Sequence, residues 1–351
     1  MTDGVIGVRY VHVVPADHGV CAFGLDLQRA VEATGSCAVQ DHWIKPGGTL
    51  PSMSSQNITH LQFTDNLWGG DAASAAHSMC QTLRSATGPV VVTLHDLPDP
   101  ADDPGRWRRR APVYQQVARL ADRVVVCSHH ERRRLRLVAP DIGADVVPNP
   151  LPPQPQVTGS TRLGQGMVGV LGWVFPDKGH ADVIRAVANL PAPRRVVILG
   201  AVAQGHTTYA AQLKDLACRL QVPLSLTGWL APTAQRHLMG VVDVAVAPHR
   251  NPSASGSMLA WIAAGRRPLI RRSAYAEELA LRAPMAVTMY DPSRLSTAIH
   301  RELTDPARTI GVPPELALET AARRHLKIYT AVGQTVAVRD QRQLQRVPVA
   351  P

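Results

Sequence analysis

Short apolar runs rich in β-branched residues alternate along this chain with stretches of helical periodicity. Such runs, bounded by polar or glycine-bearing segments, are typical of strands buried in parallel sheets. The alternation occurs twice, and it predicts five strands in each half of the chain. The predicted strands cover residues 5–14, 58–63, 90–95, 124–127 and 145–147, and then 167–171, 195–199, 224–227, 242–247 and 268–271.

A proline-rich segment, Pro148–Pro155, separates the two series and can form neither a helix nor a central strand. We therefore predict an α/β protein of two Rossmann-like, doubly wound domains that face a cleft. The predicted domains are residues 1–150 and 151–310. Residues 311–335 are expected to form a final helix that packs back on the N-terminal domain, and residues 336–351 a loose basic tail.

Composition narrows the class of protein. The 351 residues contain no apolar run of about 18, which a spanning helix needs, and no signal-peptide pattern. Five cysteines without a CxxC pair predict reduced thiols in a cytoplasmic protein.

The net charge of +10 comes mainly from arginine. The arginines cluster at residues 106–110 and 132–136, and Trp107 is the one aromatic residue within these clusters. Nucleic-acid-binding surfaces usually interleave aromatic and basic residues, so we expect the clusters to contact an anionic membrane face or to be ordinary surface rather than to bind nucleic acid.

Residues 164–169 fit the pattern GxGxxG. That pattern marks a dinucleotide site only where it follows a strand and opens a helix. Here the glycines precede a predicted strand, so we interpret them as a flexible lead-in.

Two strand-to-helix junctions in the second half could bind phosphate. Lys178 lies where a short loop after Gly172 enters a helix, and helix N-termini favour anions. The second junction, Ser255-Gly256-Ser257, joins a strand to an apolar helix, with a glycine that permits close backbone approach. The alternatives are a solvated lysine and a plain serine N-cap. In the first half, His95 ends a predicted strand, where ligands bind in such sheets.

The order of these segments resembles that of retaining GT-B enzymes of glycosyltransferase family 4, over about residues 5–305. No single motif is specific, but their order is. The matching segments are His18-Gly19, Thr93–Asp96, Val125–Ser128, Val146–Asn149, Phe175–Gly179, Val196–Gly200, Leu226–Leu230, Asp243–Pro248, Ser255–Ser257, Ala263–Gly265 and Pro268–Ile270.

The resemblance implies a role for each matching residue. His95 and Lys178 are expected to be catalytic, with His95 hydrogen-bonded to the donor sugar. Lys178, Ser255, Gly256 and Ser257 would bind the donor diphosphate. Gly228 and Trp229 would contact the nucleotide, and His18 and Gly19 would form the first loop on the acceptor side.

Three positions depart from the family pattern. Trp173 replaces an arginine in the lysine loop, and Pro252 and Ala260 replace the two glutamates that hold the donor sugar and ribose. The resemblance is therefore to a variant with a Ser-Gly-Ser loop, followed by the segment Tyr275–Leu279. Contacts to the sugar and ribose must come from other residues, or the activity has been lost.

The expected function is transfer of a sugar from a UDP- or GDP-linked donor, with retention and without a cofactor. The acceptor is a small molecule, a glycan or a lipid-linked molecule, which would place the protein in the cytoplasm or at the inner membrane face. No Asp-x-Asp occurs in the sequence, so no metal site is expected. The alternatives are a non-catalytic nucleotide-sugar-binding scaffold and a sugar-nucleotide epimerase of the same fold.

Overall fold

The computed structural model describes residues 6–14, 18–52, 54, 57–101, 103–152, 166–314 and 317–344. The chain divides into two compact units, Met1–Pro150 with Leu316–Pro351, and Leu151–Glu315. We call these the first unit and the second unit. Parts of the GxGxxG segment (164–165), of the proline-rich segment (153–155) and of the tail (345–351) lie outside the described residues.

The first unit is built on one six-stranded parallel sheet in the order β2-β1-β3-β4-β5-β6. Strands β1, β3, β4 and β5 are almost wholly buried, as is typical of a parallel sheet covered on both faces, and β3 buries polar side chains as well as apolar ones. The elements are β1 Ile6–Val13, α1 Gly19–Ala33, β2 Cys37–Ile44, β3 Ile58–Phe63, α2 Asp65–Trp68, α3 Ala72–Arg84, β4 Val90–Leu94, α4 Pro104–Leu120, β5 Arg123–Val126, α5 His129–Val138 and β6 Ala144–Val146.

The second unit is also built on a six-stranded parallel sheet, in the order β12-β11-β10-β7-β8-β9. Central strands β7 and β10 are fully buried. The elements are β7 Met167–Leu171, α6 His180–Ala188, β8 Arg195–Leu199, α7 Thr207–Arg219, β9 Leu224–Leu226, α8 Pro232–Val241, β10 Val244–Ala247, α9 Gly256–Ala263, β11 Leu269–Arg271, α10 Ala274–Arg282, β12 Thr288–Tyr290 and α11 Leu295–Thr304.

The last helix, α12, spans Leu318–Leu344 and returns to the first unit, where it packs on α1 and on strands β1 and β3. The prediction of a loose tail from residue 336 is therefore wrong for residues 336–344. Their Arg, Gln, Ala and Leu residues are good helix formers, so polarity alone did not indicate a loose chain. Within the described residues, no helix is both long and apolar enough to cross a membrane.

Two edge strands and two helical segments differ from the sequence prediction. The sequence does not predict β2 and β12, because an edge strand pairs on one side only and can be polar or short. In β2 most residues are at least partly exposed. Helix α10 is not predicted from the sequence as an element. The sequence predicts a helix over residues 113–121, whereas α4 begins at Pro104, with Asp103 as its N-cap.

Candidate functional site

Lys178 lies at the end of a short 3₁₀ turn between β7 and α6, and its side chain is buried. The Lys178 side chain extends back to Gly172. A Cβ added at Gly172 would lie 2.6 Å from the Lys178 Nζ. Gly172 also has a φ of 116°, which side chains rarely adopt. The Nζ donates a hydrogen bond to Ser257 Oγ at 2.9 Å. Two junctions predicted separately from the sequence are thus in direct contact.

His249 follows β10 and completes this cluster. Its Nε2 contacts the Lys178 Nζ and lies 3.3 Å from Ser257 Oγ. His249 is not predicted from the sequence as a site residue, although it follows a buried strand just as His95 does. A lysine, an imidazole and a hydroxyl therefore converge at the carboxyl ends of β7 and β10, which are neighbours in the sheet.

Burial controls the protonation of this cluster. It lowers the pKa of Lys178 to about 7. Burial, and then the charge of Lys178, lowers the pKa of His180 to about 3. The same causes, with His180 added, hold the pKa of His249 well below its usual range. Burial thus disfavours the cationic forms of Lys178, His180 and His249, and an anion bound beside them would compensate for the lost solvation.

Ser255 caps the N-terminus of α9, its Oγ accepting from the Met258 N–H at 3.4 Å. Ser255 is thus an N-cap, which was the alternative interpretation of this loop. The N-terminus of the capped helix also lies at the lysine cluster. Gly256 is exposed, and an added Cβ would meet no atom within 4 Å. The first amides of α9 therefore border open space beside Ser257 and Lys178.

Gly228 and Trp229 follow β9, and a short series of contacts links their loop to Gly172. The backbone of Gly200, after β8, passes so close to Gly172 that a Cβ would lie 2.2 Å from the Gly172 carbonyl oxygen. The Gly200 N–H donates to Thr227 Oγ1 at 3.2 Å. Gly228 has a φ of 71°, and the Trp229 side chain is 69% exposed. A large aromatic ring left in solvent is a surface on which a planar ligand can stack.

In the first unit, His95 directly follows β4 and is buried. Its Nε2 lies 2.9 Å from Gln62 Oε1, and its Nδ1 lies 3.8 Å from Cys127 Sγ. Burial lowers the pKa of His95 to about 4, with the Asp96 carboxylate partly opposing it, so the ring is neutral at pH 7. Gln62 was not identified from the sequence, because it lies inside a strand with no motif around it.

His18 and Gly19 form the entry to α1. The His18 Nδ1 accepts a hydrogen bond from the Val20 N–H at 3.2 Å and so caps the helix. A positive charge on His18 would lower the pKa of His95, which places both histidines in one electrostatic environment. Gly19 is exposed with open space around it. The two predicted histidines of the first unit thus influence each other electrostatically.

The positions that depart from the family pattern have distinct surroundings. Trp173 is 45% exposed, and Pro252 is buried. Ala260 is buried in α9, in an apolar cluster with Val242 and Trp261. A carboxylate at position 260 would have to be placed in that apolar cluster, at a large desolvation cost. Among the described residues, no three His, Cys, Asp or Glu side chains are grouped as a metal site requires.

Two of the arginines in the basic clusters do not face solvent. Arg110 is buried and forms a two-pronged ion pair with Asp65. Arg134 is also buried, donating to the Leu97 carbonyl at 3.0 Å and lying 3.5 Å from Asp99. Assigning these two to a basic surface is therefore wrong, because tertiary packing gives each an internal acceptor. The exposed members are Arg106, Arg108, Arg109, Arg133 and Arg136.

The sheets and their order match known structures. A family model described as Glycosyltransferase Family 4 matches residues 69–154. Sucrose-phosphate synthase from Thermosynechococcus elongatus superposes with a TM-score of 0.67 at 15% identity, covering 97% of this chain and 99% of that one. The chain has a family 4-like GT-B glycosyltransferase fold.

Other structures share the GT-B fold. Anabaena HepE in complex with UDP-glucose has a TM-score of 0.64 at 14% identity, covering 96% of this chain and 99% of that one. A glycosyltransferase from Rickettsia africae has a TM-score of 0.58 at 12% identity, covering 94% and 99%. Among curated protein sequences, none matches this chain significantly. The resemblance predicted from the order of the motifs is confirmed at the level of the fold.

Proposed function

We propose that this protein is a glycosyltransferase that moves a sugar from a nucleotide-diphosphate sugar to an acceptor, with retention and without a metal. One observation carries the proposal. Lys178, Ser257 and the N-terminus of α9 converge at the carboxyl ends of two adjacent central strands. Such a site suits the diphosphate of a nucleotide sugar, because fixed donors there stabilise the charge that develops as the bond to the sugar breaks.

The donor is a UDP- or GDP-linked sugar. HepE was crystallised with UDP-glucose, which supports UDP as the nucleotide to test first. The exposed Trp229 ring would stack on the base, and Gly228 would leave room for the ribose. His95 would contact the sugar. The site lacks the family's two glutamates, so the lysine cluster takes a larger share of donor binding.

The acceptor binds the first unit, with the His18-Gly19 loop on its side. The exposed arginines of α4 and α5 favour an acceptor that is anionic or embedded in an anionic membrane face. None of the five cysteines, all of which lie in the described part of the chain, forms a disulfide, which supports a reducing compartment such as the cytoplasm.

A single assay separates this proposal from its two alternatives. The protein is incubated with UDP-glucose or GDP-mannose, alone and with acceptor extracts, and the nucleotide and sugar products are followed by NMR. A transferase releases nucleoside diphosphate faster with acceptor present, and the product keeps the anomeric configuration of the donor. Conversion of the donor to an epimer without acceptor would overturn the proposal in favour of an epimerase. Tight binding of a nucleotide sugar with no turnover of any donor would overturn the proposal in favour of a scaffold.

A further inference from the structure

A line of buried polar side chains crosses the first unit from the C-terminal helix to His95. Tyr329 Oη, on α12, lies 2.7 Å from His60 Nδ1 on β3. His60 Nε2 lies 3.3 Å from Gln62 Nε2, and Gln62 Oε1 lies 2.9 Å from His95 Nε2. No member is more than 5% exposed. Tyr10 Oη, on β1, ends the line at 2.7 Å from Tyr329 Oη.

The amide of Gln62 fixes the direction of every hydrogen bond in this line. Its Oε1 can only accept, so His95 must donate from Nε2. Its Nε2 can only donate, so the His60 Nε2 accepts from it at 3.3 Å and from the Thr93 hydroxyl at 2.9 Å, and the His60 proton lies on Nδ1. His60 therefore donates to Tyr329, and Tyr329 donates to Tyr10. Both imidazoles are neutral, because burial holds the pKa of His60 well below its usual range and lowers that of His95 to about 4.

The direction of the line determines what His95 can offer to a ligand. With its proton on Nε2 and committed to Gln62, the free lone pair is on Nδ1. The neighbour of Nδ1 is the Cys127 thiol at 3.8 Å, a weak donor that a hydroxyl group can replace. His95 thus acts as a hydrogen-bond acceptor for a hydroxyl and not as a donor.

We infer that Tyr329 is a positioning residue, which acts through His60 and Gln62 to hold His95 as the Nε2–H tautomer with Nδ1 open to a hydroxyl of the sugar substrate. The part of this inference that concerns the sugar rests on the proposed function. The C-terminal helix thereby determines the hydrogen-bonding character of a residue on β4, although the two are more than two hundred residues apart in the chain. The histidine of α12, His325, packs 5.5 Å from the His60 ring and has its Nδ1 2.8 Å from the Ala321 carbonyl oxygen, outside the line.

Removing one hydroxyl tests the inference. In Tyr329→Phe, the His60 Nδ1–H loses its acceptor, and a buried unpaired donor is costly. His60 can recover by moving its proton to Nε2, where it donates to Thr93 Oγ1. The Gln62 NH₂ group would then face a second donor at 3.3 Å, so the amide turns its Oε1 toward His60. The Gln62 NH₂ group then faces His95, whose proton moves to Nδ1. We therefore expect Tyr329→Phe to switch the tautomer of His95.

The matched control is Tyr290→Phe. It also deletes one buried tyrosine hydroxyl, but in the second unit and outside the line, so every hydrogen bond between Tyr10 and His95 stays in place. The tautomers are measured by ¹H–¹⁵N correlation spectra of the histidine rings in the full chain, with His95 assigned from the spectrum of His95→Gln. Gln62→Met, which breaks the line without touching α12, serves as a second variant if Tyr329→Phe does not fold.

The wild type and Tyr290→Phe are expected to show His95 as Nε2–H, and Tyr329→Phe as Nδ1–H. Turnover in Tyr329→Phe is expected to fall about 3- to 10-fold, the value of one neutral hydrogen bond, while UDP affinity stays unchanged. An unchanged His95 tautomer in both Tyr329→Phe and Gln62→Met, or Nδ1–H in the wild type, would overturn the inference. A tautomer switch in a protein that transfers no sugar would leave the line intact and contradict only the proposed function.

Discussion

Lys178 and Ser257 are 79 residues apart in the chain, and the Lys178 Nζ donates to the Ser257 Oγ at 2.9 Å. They meet because each follows a central strand, and β7 and β10 pair in parallel with both carboxyl ends at one edge. His249 contacts the same Nζ. This cluster supplies three of the predictions that follow.

Replacing Lys178 with alanine is expected to reduce turnover by roughly 10²–10³ while the fold is retained, the loss typical of one fixed donor to a charged transition state. Sugar transfer from the best donor would be measured, with circular dichroism to verify folding. Lys214→Ala, which removes an exposed lysine of α7 in the same unit, is the control and should have no effect. Near-wild-type turnover in a folded Lys178→Ala protein would remove Lys178 from the mechanism.

The buried lysine also makes stability depend on pH. Its pKa is about 7 in the folded protein against an ordinary value of 10.5. Between pH 7 and 9, the unfolded chain therefore binds more protons at this residue than the folded chain. The contribution of Lys178 to the free energy of unfolding thus rises with pH, by at most about 1.4 kcal/mol per unit.

Lys178→Met isolates this contribution, because methionine has no proton to lose. Urea unfolding at pH 6, 7.5 and 9 should show that the variant's advantage over the wild type is largest at pH 6 and shrinks toward pH 9. A constant difference across this range would mean that Lys178 titrates normally.

Chelation is expected to leave sugar transfer intact. The sequence contains no Asp-x-Asp, the arrangement that would bind a divalent ion together with the donor diphosphate. Initial rates would be compared before and after EDTA and dialysis, with a metal-dependent glycosyltransferase assayed in parallel. Loss of activity that Mg²⁺ or Mn²⁺ restores would contradict a mechanism in which the Lys178 cluster replaces the metal.

Arg110 is expected to matter for stability. Its Nε lies 2.6 Å from Asp65 Oδ2 and its Nη2 lies 2.7 Å from Oδ1, and both side chains are under 10% exposed. Arg110→Ala leaves a buried carboxylate unpaired and should cost about 3–5 kcal/mol of unfolding free energy. Arg109→Ala, its exposed neighbour, should cost less than about 0.5 kcal/mol. Equal losses in the two variants would show that the ion pair contributes little.

The exposed arginines are expected to bind anionic membranes. In a sedimentation assay with phosphatidylserine and phosphatidylcholine vesicles, the protein should bind only the anionic ones, and high salt should release it. The double variant Arg133→Gln/Arg136→Gln should bind about 30-fold more weakly, from about 1 kcal/mol for each charge. The control is Lys214→Gln/Arg219→Gln, which removes two exposed charges from α7. Binding to neither vesicle type would leave the charges as ordinary surface and indicate a water-soluble acceptor, and equal binding to both would show that the arginine charges do not attract the membrane.

The sequence by itself determined the class of fold and the edge of the sheet at which the two junctions predicted to bind phosphate lie. Apolar β-branched runs such as Val90–Leu94 are typical of strands that are buried on both faces. The helices between these strands allow neighbouring strands to run parallel. Once the sheet is parallel, every strand ends at the same edge, and Lys178 and Ser257 must both lie there. The periodicity of apolar residues within each segment is sufficient to predict these features, because that periodicity determines which segments become buried strands and which become helices.

The tertiary structure alone decided which polar groups meet. Arg110 and Arg109 are adjacent in the sequence and chemically identical, yet one is buried against Asp65 and the other is exposed, because the direction of a helical side chain depends on what packs against it. The line from Tyr329 to His95 joins α12, β3 and β4, whose contact depends on the return of the last helix to the first unit. Hydrogen bonds act over about 3 Å in space and are independent of separation along the chain, so only the folded arrangement reveals them.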